Sequence, residues 1–301
     1  MKTKRSPADI LGIVLGLAAI GLVIFSLIYL LGARPFFRGG RDWGPRHMGR
    51  LWDWNWGGPW ESSEETREVA ERVERLTVTN ISGPVQIEGW DRDTIQVHYV
   101  KQARGEENLA DFKIEIETDG DTLKVRPLYQ PNVGLRFGSV SFDIKVPKTL
   151  KEIKVNNVSG NISVNDLGAD IAQELETVSG AIESNRSGDL RAKSTSGSIG
   201  FSFTGRKLAV KSISGRIDGE IRGLGRDGSV EAESVSGSVD LRAFGGLDAE
   251  VRMQSVSGSL SCDFPMQIQE KKQHRLNGRI GSGSADVSLK TVSGSISLGS
   301  M

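Results

Sequence analysis

The chain has 301 residues, with 38 basic and 38 acidic side chains, 37 glycines and a single cysteine. That length supports one or two domains with a sizeable core. A net charge of zero argues against a nucleic-acid partner, which would ask for a basic stripe, and one cysteine excludes an internal disulfide framework.

Residues 1–9 form a short basic start with Lys2, Lys4 and Arg5. Ile10 to Leu31 then run without a charge and with one serine. At ~1.5 Å per residue the run reaches ~33 Å, enough for a hydrocarbon core of ~30 Å. The pattern predicts one transmembrane α-helix over 10–32, in contact with the lipid bilayer. An uncleaved anchor is favoured over a signal peptide. The apolar run exceeds the usual ~7–15 residues, and Leu31-Gly32-Ala33-Arg34 is a poor cleavage site. Gly12-x-x-x-Gly16 reads as ordinary glycine content of a membrane helix. Orientation is contested. Arg34, Arg38, Arg41, Arg46 and Arg50 after the span, taken literally, put the rest of the chain in the cytoplasm. The short amino terminus and its own positive cluster favour the reverse. The expectation is a single-pass protein of the cytoplasmic membrane with its repeats outside the cytoplasm.

Residues 33–75 form a Trp/Arg/Gly-rich juxtamembrane linker and stalk. They hold five of the six tryptophans, Trp43, Trp52, Trp54, Trp56 and Trp60. Amphipathic aromatics favour the membrane–water interface, so these are candidate interface contacts; a plain linker explains them equally well. His47 stands alone there, which is no metal site. Ser62-x-x-Glu65 fits a capping box and Val69 and Val73 are four apart, so a short helix or a stalk is expected over Glu61–Arg75.

From residue 76 to 301 one phrase recurs, Val-Ser-Gly inside a hydrophobic frame. Counting from the glycine, apolar residues fall at −7, −5, −2, +2 and +4. Around Gly160 they are Ile153, Val155, Val158, Ile162 and Val164. Gly83, Gly180, Gly197, Gly215, Gly237, Gly258 and Gly294 carry the same frame, with lapses at Gln173, Ser184, Thr195 and Gly219. A period of about 20 residues marks a stacked repeat. The parity break between −5 and −2 predicts a corner there between two short strands. The fold class is therefore all-β, a β-solenoid or β-helix of coils stacked at ~4.8 Å, preceded by the membrane helix. Serines beside the glycines could form a stacked hydroxyl ladder, and the glycines are structural, placed where backbone meets backbone. Seven similar serines also argue against a nucleophile, which needs one special environment.

Phe112–Val146 alternates more simply. It reads as longer strands with turns at Thr118-Asp119-Gly120-Asp121 and Pro147, either the first layers of the stack or a cap on it. The polar insert Phe264–Arg279 lies in the nearly doubled interval between Gly258 and Gly294. It is expected to project as a loop or outer hairpin and to offer a binding surface.

The anchor, LTVTNISGPVQIEGWDRDTIQVHYV, IKVPKTLKEIKVNNVSGNISV and the terminal LKTVSGSISL resemble the bacterial "putative adhesin" β-strand-repeat family, over roughly residues 70–300. The resemblance implies the fold, membrane anchoring and a link to the cell envelope. It implies no catalytic or binding residues.

Other motifs lack their contexts. Gly223-Leu-Gly225-Arg-Asp-Gly228 matches a dinucleotide fingerprint, but a strand-like segment follows where a helix is needed, so it reads as an inter-strand turn. The sequons at Asn80, Asn157, Asn161 and Asn185 follow from the repeat or from chance. No Asp-rich calcium repeat occurs. His47, His98 and His274 have no ligand spacing. Cys262 falls at a core position and reads as an inert buried thiol. Asp166, Asp170, Asp189, Asp218, Asp240, Asp248 and Asp263 are scattered and read as surface charge. No catalytic, metal or cofactor site is expected, and no cofactor. The first reading is a non-catalytic, membrane-anchored β-solenoid, an adhesin or an envelope-contact or stress-sensing protein, whose partners would be an envelope protein or a surface polymer. A second is a scaffold that self-associates end to end on the cytoplasmic face through an exposed final coil at Ser293–Leu298. A third is a β-helix carbohydrate-active enzyme.

Overall fold

The computed structural model describes residues 59–70, 72–128, 138–168 and 170–301. The expected membrane span and Trp43, Trp52, Trp54 and Trp56 lie outside these. Among the described residues no helix is long and apolar enough to cross a membrane. The described residues form one compact unit.

Strands follow the chain as β1 (Trp60–Val69), β2 (Arg75–Ser82), β3 (Val85–Trp90) and β4 (Ile95–Arg104), then a short helix α1 (Glu106–Asp111). Next come β5 (Lys113–Asp119), β6 (Thr122–Leu128) and β7 (Gly138–Pro147). The repeats contribute β8 (Glu152–Ser159), β9 (Ile162–Asn165), β10 (Ala172–Ser179), β11 (Ile182–Ser187), β12 (Leu190–Ser196), β13 (Ile199–Ser214), β14 (Ile217–Ser236) and β15 (Val239–Ala243). The chain closes with β16 (Ala249–Ser257), β17 (Leu260–Cys262), β18 (Gln267–Lys272), β19 (Arg275–Ile280), β20 (Ala285–Ser293) and β21 (Ile296–Ser300).

Each coil is a strand, a corner and a second strand. First strands stack on first strands and second on second, in parallel register. Two faces result, with the core between them. One runs β5-β6-β2-β8-β10-β12, the second half of β13, the second half of β14, then β20-β16-β19-β18. The other runs β1-β4-β7-β3-β9-β11, the first halves of β13 and β14, then β15-β21-β17. The architecture is all-β and solenoid-like, as the period requires.

Three expectations need correction. The corner is not between −5 and −2. The first strand continues unbroken to −1, and the chain turns at the glycine itself. Inward positions are therefore −7, −5 and −3, then +2 and +4. The β-branched residues at −2 (Ile81, Val158, Val178, Thr195, Ile213, Val235, Val256, Val292) are half-buried on the outer surface. The frame misled because −3 holds Asn, Thr or Ser while −2 holds valine or isoleucine in all coils but one, so hydropathy pointed to the wrong neighbour.

The stretch Glu61–Arg75 holds a strand rather than a helix. Its β1 pairs antiparallel with β4 from Trp60↔Arg104 to Val69↔Ile95, so the folded unit includes residues assigned above to the stalk. A long edge strand gains every ladder bond that an isolated short helix would have to find within itself.

The last repeat is not the end of the stack. β20 lies between β14 and β16, and β21 between β15 and β17. The chain leaves β15, skips one slot to lay down β16 and β17, turns through the β18–β19 hairpin, and only then fills the slot. Its final coil is enclosed rather than exposed. The insert expected to project does form a hairpin, but β19 pairs antiparallel along the edge of β16 and closes that face. The other end is built alike: β7 fills the slot between β3 and β4, and β5–β6 extends the opposite face. The Phe112–Val146 strands are thus a cap, turning at Gly120 as expected. The outer edges are charged in β1 (WESSEETREV), β5 and β18 (QIQEKK), and β17 has three residues. Charged and short edges discourage strand addition.

Candidate functional site

The repeat glycines form a column through the stack. A Cβ on Gly160 would meet the carbonyl oxygen of Gly83 at 2.3 Å, one on Gly197 that of Gly180 at 2.0 Å, and one on Gly258 that of Gly294 at 1.9 Å. The contacts follow the order 83, 160, 180, 197, 215, 237, 294, 258, which is the spatial order of the coils. At Gly160, Gly180 and Gly197 φ is +133°, +150° and +151°, which disfavours any side chain. Each glycine N–H before Gly258, the last of the column, donates to the serine carbonyl of the next coil, as from Gly180 to Ser196 at 3.0 Å.

The hydroxyl ladder exists, but at −3 rather than −1. Serines 159, 179, 196, 214, 236, 257 and 293 are exposed. Asn80, Asn157, Thr177, Ser194, Ser212, Ser234, Ser255 and Thr291 are buried. Each donates to a glycine carbonyl at a corner: Asn157 Nδ2 reaches Gly83 and Gly160 at 3.0 Å, and Ser255 Oγ reaches Gly294 at 3.1 Å. The ladder satisfies carbonyls that the turn takes out of the strand pairing.

The lapses of the frame are paired. Gln173 and Ser184 belong to one coil and face each other across the core, where Ser184 Oγ donates to Gln173 Oε1 at 2.7 Å. Gly219 is vacant because the Phe201 ring of the preceding coil fills its place, 2.1 Å from where a Cβ would sit. Cys262 is half-buried, and burial pushes its thiol pKa up, away from the reactive thiolate. The Gly223–Gly228 fingerprint lies inside the long strand β14 rather than at an inter-strand turn. His98 Nδ1 meets the Thr66 hydroxyl at 3.0 Å and His274 Nδ1 meets the Gly258 carbonyl at 3.2 Å. Among the described residues no group of three or more metal-ligating side chains converges. Trp60 is exposed, with the Arg104 guanidinium 5.3 Å from its ring centroid.

The acidic residues divide by role. Asp248 accepts from the Ser282 hydroxyl at 2.8 Å and the Gly283 N–H at 2.6 Å, tying the β15–β16 connection to the β19–β20 turn that directs β20 into its slot. Those bonds, led by Ser282, lower its pKa to about 2. Asp240 pairs with Arg216 at 2.8 Å. Asp189 accepts from the N–H groups of Arg206 and Lys207 at 3.0 and 2.9 Å.

The two outer surfaces differ. The first face carries a lattice of opposite charges bridging successive coils, including Lys154–Glu174 at 3.1 Å, Lys211–Glu233 at 3.0 Å and Lys290–Glu233 at 2.9 Å. The second face carries a trough of about 650 Å³ at its middle. Its floor is Gly200 and Ser202 on β13. One wall is β11, which bulges at Asn185 and Arg186 where the register shifts, with Arg186 at φ +60°. The opposite wall is β14, which carries an extra residue, Arg222. Glu183, Asp218, Glu220 and Arg242 also line it. Sequence reading touched Asn185–Ser187 only as a sequon, and passed over Gly200 because an outward glycine does not disturb a hydrophobic frame.

A parallel, two-faced stack with a glycine corner in every coil defines a β-strand-repeat domain. The chain belongs to the Toastrack DUF4097 family, whose model matches residues 73–220 and 181–299. The overlap of the two matches reflects the repeat. No curated protein matches the chain. Solved structures similar to it include a putative cell adhesion protein from Clostridium sporogenes, at 12% identity over 80% of this chain and 100% of that one, with a TM-score of 0.35. A putative adhesin from Bacteroides fragilis is 14% identical over 78% and 97%, with a TM-score of 0.35. A putative lipid binding protein from Parabacteroides distasonis is 16% identical over 79% and 96%, with a TM-score of 0.26.

Proposed function

We propose that this protein is a non-catalytic display module, held in the cytoplasmic membrane by residues 10–32, which presents its repeat stack outside the cytoplasm for contact with envelope proteins or surface polymers. The observation that carries the reading is the closure of both ends. A stack whose last coil is enclosed and whose terminal strands run antiparallel, charged or short offers its lateral faces rather than its ends. Lateral faces made of paired strands are rigid and present side chains at a fixed ~4.8 Å repeat, which suits contact with an extended partner.

The test is topology. A protease-cleavable epitope at the C-terminus of the full chain is exposed to protease in cells with a permeabilised outer layer and an intact cytoplasmic membrane. Cleavage is expected. Protection until the cytoplasmic membrane is dissolved places the repeats inside and refutes the display reading. Concentration-dependent filaments of the detergent-solubilised chain would instead favour the end-to-end scaffold.

A further inference from the structure

The trough on the second face has chemistry left over. Glu220 is held by Arg222, whose Nη2 lies 2.7 Å away, and Asp218 by Arg242 at 2.8 Å. Arg222 also lies 4.8 Å from the Phe244 ring centroid, which fixes that wall. The side chains of Arg186 and Glu183 line the same space and have neither ion pair nor hydrogen bond among the described residues. Glu183 lies over Gly200, where a Cβ would come within 2.2 Å of its Oε2. Partial desolvation by its neighbours, with the charge of Asp218 adding, pushes its pKa up, and its oxygens accept hydroxyl hydrogen bonds in either protonation state. Asn185 and Ser202 add an amide and a hydroxyl. β-Bulges on both walls aim these side chains, a common use of bulges beside functional sites.

Such a set matches one class of ligand. A free guanidinium takes a carboxylate in two parallel hydrogen bonds. A carboxyl, an amide and a hydroxyl take neighbouring sugar hydroxyls. The volume lies within the ~300–1,000 Å³ of ligand sites. We infer that this trough binds a carboxylate-bearing saccharide, with its carboxylate on Arg186 and its hydroxyls on Glu183, Asn185 and Ser202. This rests on the envelope-contact reading above and gives it a ligand class and a place.

The probe is hexagalacturonate, titrated calorimetrically into the full chain in nanodiscs, with maltohexaose and a six-unit polyphosphate as comparisons. Binding with a dissociation constant on the order of 0.1–1 mM is expected, at least tenfold tighter than for either comparison. Arg186→Asn, which tolerates the positive φ, weakens it at least tenfold. Gly200→Val fills the floor from the outer surface and does the same, while the thermal midpoint of each variant stays near that of the parent. No heat with hexagalacturonate, equal binding of polyphosphate, or variants that bind like the parent would overturn the assignment. The display reading fails separately. If both variants still bind isolated cell-wall sacculi as the parent does, the trough is wrong and envelope contact stands. If hexagalacturonate binds as expected but the C-terminal epitope is cytoplasmic, the trough stands and display falls.

Discussion

Gly197→Ala puts one methyl group into the middle of the glycine column. Its Cβ would lie 2.0 Å from the Gly180 carbonyl oxygen, and the residue must hold φ at +151°. Holding an alanine there costs about 1–2 kcal/mol. The clash is with backbone, so relief requires the two coils to separate at the corner. That weakens the bonds from Gly180 N–H to Ser196 and from Ile182 N–H to Ser198, each 3.0 Å, and from Ser194 Oγ to Gly180 O at 3.3 Å. At about 0.5–1.5 kcal/mol per bond these add roughly 1.5–4.5 kcal/mol. The expected loss is about 2.5–6.5 kcal/mol, a fall in thermal midpoint of roughly 5–26 °C at the ~2–4 °C per kcal/mol of a domain this size. The assay is thermal unfolding followed by far-ultraviolet circular dichroism, with the exposed neighbour Ser196→Ala as control, expected within about 0.5 kcal/mol of the parent. A Gly197→Ala midpoint within 2 °C of the control would refute the backbone-contact argument.

Asn157→Ala removes both amide donations at the Gly83 and Gly160 corners; a loss of about 1–3 kcal/mol is expected in chemical denaturation, and a neutral result would show the ladder to be dispensable. Ser184→Val strands the Gln173 oxygen and is expected to cost about 1–3 kcal/mol, whereas Gln173→Leu with Ser184→Val recovers most of it. Additive losses in that double-mutant cycle would mean that the two lapses are independent. Asp248 has a folded pKa near 2, below its ordinary 3.8. Its contribution is therefore complete above about pH 4 and drains away as pH falls toward 2. Asp248→Asn should flatten that acid limb of the stability profile, and an unchanged limb would contradict the assignment.

Much of the fold was legible because burial in a repeat is written many times. The −7, −5, +2 and +4 residues and the glycines gave the coil, and a single lapse could not hide it. What escaped has three physical causes. A buried polar row at −3 carries no hydropathy, so the corner was put three residues early. Stack order is set by which edge is free when a segment arrives, and neither Thr291-Val-Ser-Gly294 nor Val256-Ser-Gly258 says which coil it will lie against; only the hairpin β18–β19, by occupying the far edge of β16, leaves β20 the slot. The candidate site was hidden for a third reason. Glu183, Gly200 and Asp218 are 17 and 18 residues apart in sequence and become neighbours only through the coil register.

The enclosed final coil is tested most directly by paired cysteines at exposed corner serines, in a chain with Cys262→Ala. Ser236 lies directly opposite Ser293, which in turn lies opposite Ser257. Neighbouring strands are ~4.8 Å apart, inside disulfide reach, while strands two apart are ~9.6 Å apart, outside it. Under mild oxidation Ser236→Cys with Ser293→Cys should cross-link fully, and Ser236→Cys with Ser257→Cys should stay reduced. The opposite result would restore a stack in simple sequence order and contradict the enclosed coil.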